Sequence, residues 1–181
     1  MYRFALVLLA VSTALGVSVG TGHAASSLRD TLGEHFKLSG IEVQNPSGEG
    51  HAIKKGTVLS LQADGIPANP LRVVQLNSKS PRFHVADYAR VEVDREGRLK
   101  ASPGELALAK GTRLVVLDLK VGADRVRLFT HTLEPMRLPD GKAAYGCAEF
   151  VFSFDPAVLD RADAATVAAH INQWLSIDSA A

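Results

Sequence analysis

The stretch that decides the fold is Tyr-Gly-Cys-Ala-Glu-Phe-Val-Phe-Ser-Phe, residues 145–154. Its apolar side chains alternate with a period of two, which predicts a strand of an antiparallel sheet with one apolar face. That face carries Ala148, Phe150, Phe152 and Phe154. The opposite face carries Tyr145, Cys147, Glu149 and Ser153.

Further strands are predicted before this one. Residues 112–121 and 125–133 have strand character and flank the short loop 122–124, which predicts a β-hairpin. The turn Pro139-Asp140-Gly141 then brings residues 145–154 beside the second strand of that hairpin. Earlier in the chain, residues 56–61 and 88–93 also predict strands, whereas residues 64–70, with two prolines, predict a bend.

A helix is predicted before this strand-rich region. Ser27-Leu28-Arg29-Asp30 fits a helix-start signal, in which the serine side chain accepts a hydrogen bond from an otherwise unpaired backbone N–H. Leu28, Leu32 and Phe36 follow at four-residue spacing, and Gly40 is suited to end the helix.

A second helical region is predicted at the C-terminal end. Asp155-Pro156 indicates a capped first turn, because proline is tolerated at the first helical position. Asp163 is expected to cap a further stretch whose apolar face is Val167, Ile171, Trp174 and Leu175. We expect this helix to lie across the sheet.

These elements together predict a mainly β (α+β) domain. The expected form is a small antiparallel β-barrel or strongly curved sheet, an SH3-like barrel being one version, with the N- and C-terminal helices packed on it. A two-layer α+β sandwich is the alternative. No low-complexity linker divides residues 25–181, so we expect a single β-rich globular domain.

Residues 1–24 predict an exported protein. Arg3 precedes an uncharged run rich in Leu, Val and Ala, and Gly22-His23-Ala24 places small residues before a cleavage site. The strongly apolar part is shorter than the roughly 20 residues of a spanning helix, which favours a cleaved signal peptide over an uncleaved anchor. Cleavage near Ala24 would remove one charged residue, leaving a neutral, periplasmic or secreted chain without a transmembrane segment.

The composition narrows the functional classes. The 181 residues include 20 Lys and Arg against 19 Asp and Glu, a balance that disfavours a cationic surface for nucleic acid. The single cysteine excludes an internal disulfide. Arg125 and Arg127 form a basic spot interleaved with acids and, with Tyr145, are the candidate binding residues, a solvated face being the alternative interpretation.

The order of several motifs resembles that of a known group of proteins. The motifs are Gly56-Thr57-Val58-Leu59, the bend from Gly65 to Pro70, Leu108-Ala109-Lys110-Gly111, the strand from Tyr145 to Phe152, and the helix segment from Ala162 to Val167. This order resembles uncharacterised secreted bacterial proteins that are common in acidobacterial sequences, over about residues 53–175. The resemblance implies an extracytoplasmic β-rich domain and no particular activity. Some relatives carry a Cys-x-x-Cys pair where this chain has residues 130–133, so the chemistry of such a pair does not carry over.

Catalytic and metal-binding motifs are sparse. The histidines form no His-x-His unit and the cysteine no Cys-x-x-Cys unit, so neither a metal nor a cofactor is predicted. The candidate nucleophile is Cys147 with His131 as its base. A turn centred near Leu138 would set His131 opposite Tyr145 and diagonal to Cys147. A histidine-activated thiolate is a competent nucleophile, although a lone cysteine is more often a packing residue.

The sequence therefore favours a non-enzymatic binding or interaction module of the cell envelope, engaging a protein or a small ligand. Two alternatives stay open. One is a small exported hydrolase or thiol enzyme that uses Cys147 and His131. The other is a carrier of an apolar ligand such as a lipid, in which the sheet encloses a cavity.

Overall fold

The structure is a computed structural model that describes residues 21–43, 51–54, 56–75, 82–85 and 87–178. Within these residues, the helices are α1 (Thr21–His35), α2 (Pro156–Asp160) and α3 (Ala164–Asn172). The strands are β1 (Gly40–Val43), β2 (His51–Lys54), β3 (Val58–Leu61), β4 (Ile66–Pro70), β5 (Arg72–Gln75), β6 (Arg82–Val85), β7 (Ala89–Val93), β8 (Leu99–Ala101), β9 (Leu106–Leu108), β10 (Arg113–Val121), β11 (Arg125–Thr132), β12 (Met136–Arg137), β13 (Ala143–Ala144), β14 (Gly146–Ser153) and β15 (Leu175–Ile177).

Nine of these strands form one strongly curled half-barrel sheet. Its order is β15, β3, β10, β11, β14, β4 and β9, with β7 beside β14 and β8 beside β7. The pairs β1–β2, β5–β6 and β12–β13 form separate two-stranded ladders. Strand accounts for 43% of the structure and helix for 19%, so the prediction of a mainly β, strongly curved sheet is confirmed.

Strand β14 occupies the centre of the sheet. On one side it pairs antiparallel with β11 along seven positions. On the other side its first two residues, Gly146 and Cys147, pair with β4, and Ala148–Phe152 then pair in parallel with β7. The parallel partner departs from the purely antiparallel sheet that we predict from the sequence, since alternation along one strand does not reveal the direction of a distant neighbour.

The concave side of the half-barrel is filled by the protein's own side chains. Phe150 and Phe152 of β14 are fully buried there. Leu28, Leu32 and Phe36, the apolar stripe predicted for the first helix, belong to the same core and are also fully buried. The helices therefore close the open side of the curled sheet, which leaves a packed core.

A β-bulge in β10 keeps both halves of that long strand facing the core. Leu114 and Val116 point inward, but the register against β11 shifts between Val116 and Asp118. The extra residue reverses the alternation, so that Leu119 is again buried in the core. Without the bulge, Leu119 would lie on the convex face of the sheet.

The C-terminal end of α1 is held against the start of β3 by hydrogen bonds. The Thr57 hydroxyl donates to the carbonyl of His35 (3.2 Å) and accepts from the amide of Lys37 (2.9 Å). The Thr57 amide in turn donates to the Lys37 carbonyl at 2.9 Å. The Gly56 amide donates to the Ser39 hydroxyl at 2.8 Å. These bonds satisfy groups at the end of the helix that would otherwise lack partners.

Both boundaries predicted for the first helix are wrong. Helix α1 begins at Thr21, ahead of the predicted start at Ser27, because no proline interrupts the small residues before that serine. It ends at His35 rather than near Gly40, since the following segment bonds to β3. Residues 1–20 of the predicted signal peptide lie outside the described residues.

The last helix is also shorter than predicted. Asp155 and Asp163 do cap α2 and α3, accepting from backbone amides at 2.9 and 3.1 Å. However, α3 ends at Asn172, and Leu175 opens strand β15, which pairs with the edge of β3. Trp174 packs partly buried against the core from the connection between them.

The predicted bend at residues 64–70 contains a strand. Residues Ile66–Pro70 form β4, which pairs with β9 over three positions and with β14 over two. Pro67 and Pro70 have no backbone N–H to donate to a neighbouring strand. Because both ladders of β4 are short, these missing donors remove few hydrogen bonds from the sheet.

Substitutions at two glycines, one in crowded and one in open surroundings, test how tightly the end of α1 packs against the segment before β3. A Cβ at Gly56 would lie 2.1 Å from the Lys37 carbonyl oxygen, whereas a Cβ at Gly33, inside α1, meets nothing within 4 Å. We expect Gly56→Ala to lower the free energy of unfolding by about 1–3 kcal/mol through overpacking. Gly33→Ala should raise it by about 0.5–1 kcal/mol, because alanine favours the helix. Urea unfolding of both variants measures the difference, and equal stabilities would contradict this description of the junction.

Candidate functional site

The structure brings the predicted pair Cys147 and His131 together on the convex face of the sheet. They are directly opposite partners in the register of β11 and β14, with Phe129 opposite Glu149. The predicted register, with His131 opposite Tyr145, is wrong by two residues. The connection is centred on Pro139 instead of Leu138, because it contains the small β12–β13 ladder.

The surroundings of this pair disfavour a nucleophile. Cys147 is fully buried, and burial, followed by the negative charge of Asp87, raises the pKa of its thiol to about 12. His131 is also fully buried, and its Nδ1 lies 2.9 Å from the Thr132 carbonyl oxygen. Because a carbonyl oxygen only accepts, Nδ1 carries the proton of this hydrogen bond. At neutral pH the cysteine is a protonated thiol, so the geometry brings the two residues together without activating the sulfur.

Aromatic rings surround the pair. Tyr145 stacks on His131 with ring centroids 4.7 Å apart and planes 23° from parallel. Tyr88 meets Phe129 edge to face at 5.2 Å. Burial, with contributions from Cys147 and Asp118, raises the pKa of Tyr88 to about 12, so this phenol is neutral too. Tyr145, a candidate binding residue, therefore packs on the imidazole of the sheet face.

The two candidate arginines are engaged with neighbouring acids. Arg125 pairs with Asp124 at 2.7 Å on the surface, and its guanidinium lowers the pKa of that carboxyl. Arg127 pairs with Glu149, whose side chain is only 9% exposed, and also lies 5.1 Å from the centre of the Phe129 ring. The Glu149 carboxylate is thereby paired despite its burial. Both arginines are thus charge-compensated within the chain.

A large groove lies on the helical side of the molecule, between α1 and α3. Its volume is about 610 Å³. We call it the α1–α3 groove. It is lined by Thr31, Leu32, Glu34 and His35 of α1 and by Ala164, Ala165, Ala168, Ala169 and Asn172 of α3. The alanines leave an apolar channel that large side chains from outside can enter. The groove is not predicted from the sequence, although four alanines on one helical segment are visible there.

Neither a metal site nor a membrane-spanning helix is found in the described part of the chain. Its His, Cys, Asp and Glu side chains form no group of three that could hold a metal ion. Of the helices within the described ranges, none has both the length and the apolar character that crossing a membrane requires. Comparisons with protein-family models, with curated proteins and with solved structures find no match to this chain.

The reactivity of the single cysteine tests the character of the convex face. We expect Cys147 in the folded protein to react with iodoacetamide at pH 7 roughly 100-fold more slowly than free cysteine, or slower still, because a buried, protonated thiol is a poor nucleophile. The same protein unfolded in guanidinium chloride should react like free cysteine. Mass spectrometry of the alkylated chain gives both rates. A folded-state rate above that of free cysteine would instead support the Cys147–His131 dyad.

Proposed function

We propose that the chain is an exported, non-enzymatic binding module of the cell envelope that docks a partner protein in the α1–α3 groove. The observation that carries this proposal is the contrast between the two sides of the molecule. On the convex face, the titratable groups are buried or paired with one another. On the helical side, an apolar groove of about 610 Å³ is open. Clefts of this kind are the usual locations of binding sites.

Export is supported by the leader and by the position of the cleavage site relative to α1. Cleavage after Ala24 would remove four of the described residues of the helix, Thr21 to Ala24. Leu28, Leu32 and Phe36, which attach α1 to the core, all follow the cut. The mature chain would therefore keep the contacts that close the half-barrel. The resemblance to secreted bacterial proteins supports the same localisation.

The chemistry of the groove indicates what kind of partner it accepts. Its alanine-lined floor suits the ridge of large apolar side chains on an amphipathic helix. Glu34 on the rim is exposed and forms no ion pair with the described residues, so it is available to a basic side chain of the incoming helix. We therefore infer an envelope protein that presents an amphipathic helix with a lysine or arginine beside its apolar ridge.

The alternative functions have less support. A carrier needs an enclosed apolar cavity, whereas Phe150, Phe152 and the side chains of α1 occupy the concave side of the sheet. A thiol enzyme needs a thiolate, and the pKa of about 12 keeps Cys147 protonated.

The predicted export can be tested on the N-terminus of the protein. We expect the chain recovered from the periplasm or medium of the producing cell to begin at Ala25, as read by intact mass and N-terminal sequencing. Ala24→Gln should slow processing, because the cleavage site requires a small residue. Ala25→Gln, one position later, is the matched control and should be processed normally. A full-length chain that stays in the cytoplasm would contradict the proposal.

The groove can be tested with a photo-crosslinking amino acid in intact cells. Placed at Ala169, an exposed residue of the groove, it should form an adduct with one envelope protein. Placed at Ala101, an exposed residue of β8, it should form none. Glu34→Lys should reduce the Ala169 adduct several-fold by reversing the rim charge. Equal yields at the two positions, no adduct at Ala169, or an adduct insensitive to Glu34→Lys would each overturn the docking proposal.

A further inference from the structure

A second, smaller cavity lies on the far side of α3 from the α1–α3 groove. It is formed where the end of β14, the turn between β7 and β8, and the helices α2 and α3 meet, and its volume is about 250 Å³. At about 30 Å³ per water, this volume equals that of roughly eight water molecules. It therefore suits a ligand the size of one amino acid.

The floor of this cavity is apolar. Phe154 is 6% exposed and belongs to the core, and Val158 of α2 packs against the same core. The ring of His170 completes the wall, edge-on to Phe154 at 5.2 Å and to Phe152 at 6.0 Å. An apolar side chain of a ligand can be buried on this surface.

Two residues of opposite charge, Arg95 and Asp155, also line the cavity. Arg95, from the β7–β8 turn, forms no hydrogen bond or ion pair with the described residues. Asp155 uses one carboxylate oxygen, Oδ1, to cap α2 by accepting from the Ala157 amide at 2.9 Å. Its second oxygen has no hydrogen bond within the described residues and is left for a ligand. The cavity thus offers one cation and one carboxylate oxygen that have no hydrogen-bonded partner in the described residues, while the charge of Arg95 also acts at longer range on the Asp124 carboxylate.

Besides Ser153 and Thr166, the ring of His170 is a further polar group of the wall. Its Nε2 is buried and has no hydrogen-bond partner in the described part of the chain. A buried ring nitrogen in a folded protein normally has a partner, either in the protein or in a bound molecule. The Nε2 of His170 is therefore a hydrogen-bonding site beside the cavity that the described residues leave open.

We propose that this cavity binds a free α-amino acid with an apolar side chain. Arg95 would pair with the carboxylate, Asp155 with the ammonium group, and the side chain would lie on Phe154 and Val158. A simple anion would be repelled by Asp155, and a simple cation would leave Arg95 unpaired, so a zwitterion complements the cavity best. This site does not depend on the partner proposed for the α1–α3 groove.

Calorimetric titration of the protein with three related probes tests the proposal. L-Leucine has both charged groups, leucinamide lacks the carboxylate, and 4-methylpentanoate lacks the ammonium group. We expect saturable binding of L-leucine and roughly tenfold weaker binding, or weaker still, of each of the other two, since each loses one charge-assisted contact. No saturable binding of leucine, or equal binding of all three, would overturn the proposal.

Substitutions then locate the site. Arg95→Gln and Asp155→Asn should each weaken leucine binding by roughly tenfold or more. Asparagine also caps helices, so the second change removes the charge while keeping α2 capped. Arg137→Gln, at an exposed arginine of β12 outside the cavity, is the control and should leave binding unchanged. Binding that survives both cavity substitutions, or that falls equally in the control, would place the ligand elsewhere and contradict the proposal.

Discussion

The fold depends on the burial of both faces of strand β14. Its concave face contributes Phe150 and Phe152 to the core, while Cys147 and Glu149 on its convex face are nearly or fully buried as well. A carboxylate cannot be buried cheaply without a partner, so the position of Glu149 requires Arg127 across the sheet. The register between β11 and β14 is therefore specified twice, by the packing of phenylalanines inside and by an ion pair outside.

This double burial also decides what the convex face can do chemically. Cys147 and Tyr88 are held neutral because the sheet face excludes water from them. Arg127 is committed to Glu149, and Tyr145 to the ring of His131. The residue types that suggest catalysis in the sequence are thus used for structure, and proximity in the register does not by itself produce an active nucleophile.

The predictable parts of the molecule are those fixed by neighbours along the chain. The alternation in residues 145–154 and the caps at Asp155 and Asp163 depend on a few consecutive residues, and these predictions are confirmed. The register of the sheet required knowledge of the β12–β13 ladder, and the parallel partner β7 is distant in sequence. The second cavity could not be predicted for the same reason. Arg95 and His170 are distant in sequence and line one cavity only because the β7–β8 turn lies near α3 in the fold.

Helix α3 contributes to both the α1–α3 groove and the second cavity. Val167 and Ile171 fix it to the core, and Asp163 holds its first turn. The inner face of the helix packs on the core. One flank carries the alanines and faces α1. The other flank carries His170 and faces α2 and the β7–β8 turn. Amphipathic spacing requires one buried stripe only, so both flanks are free to vary without cost to the core. A rigid helix with two chemically different flanks can therefore present an apolar channel and a charged cavity at the same time.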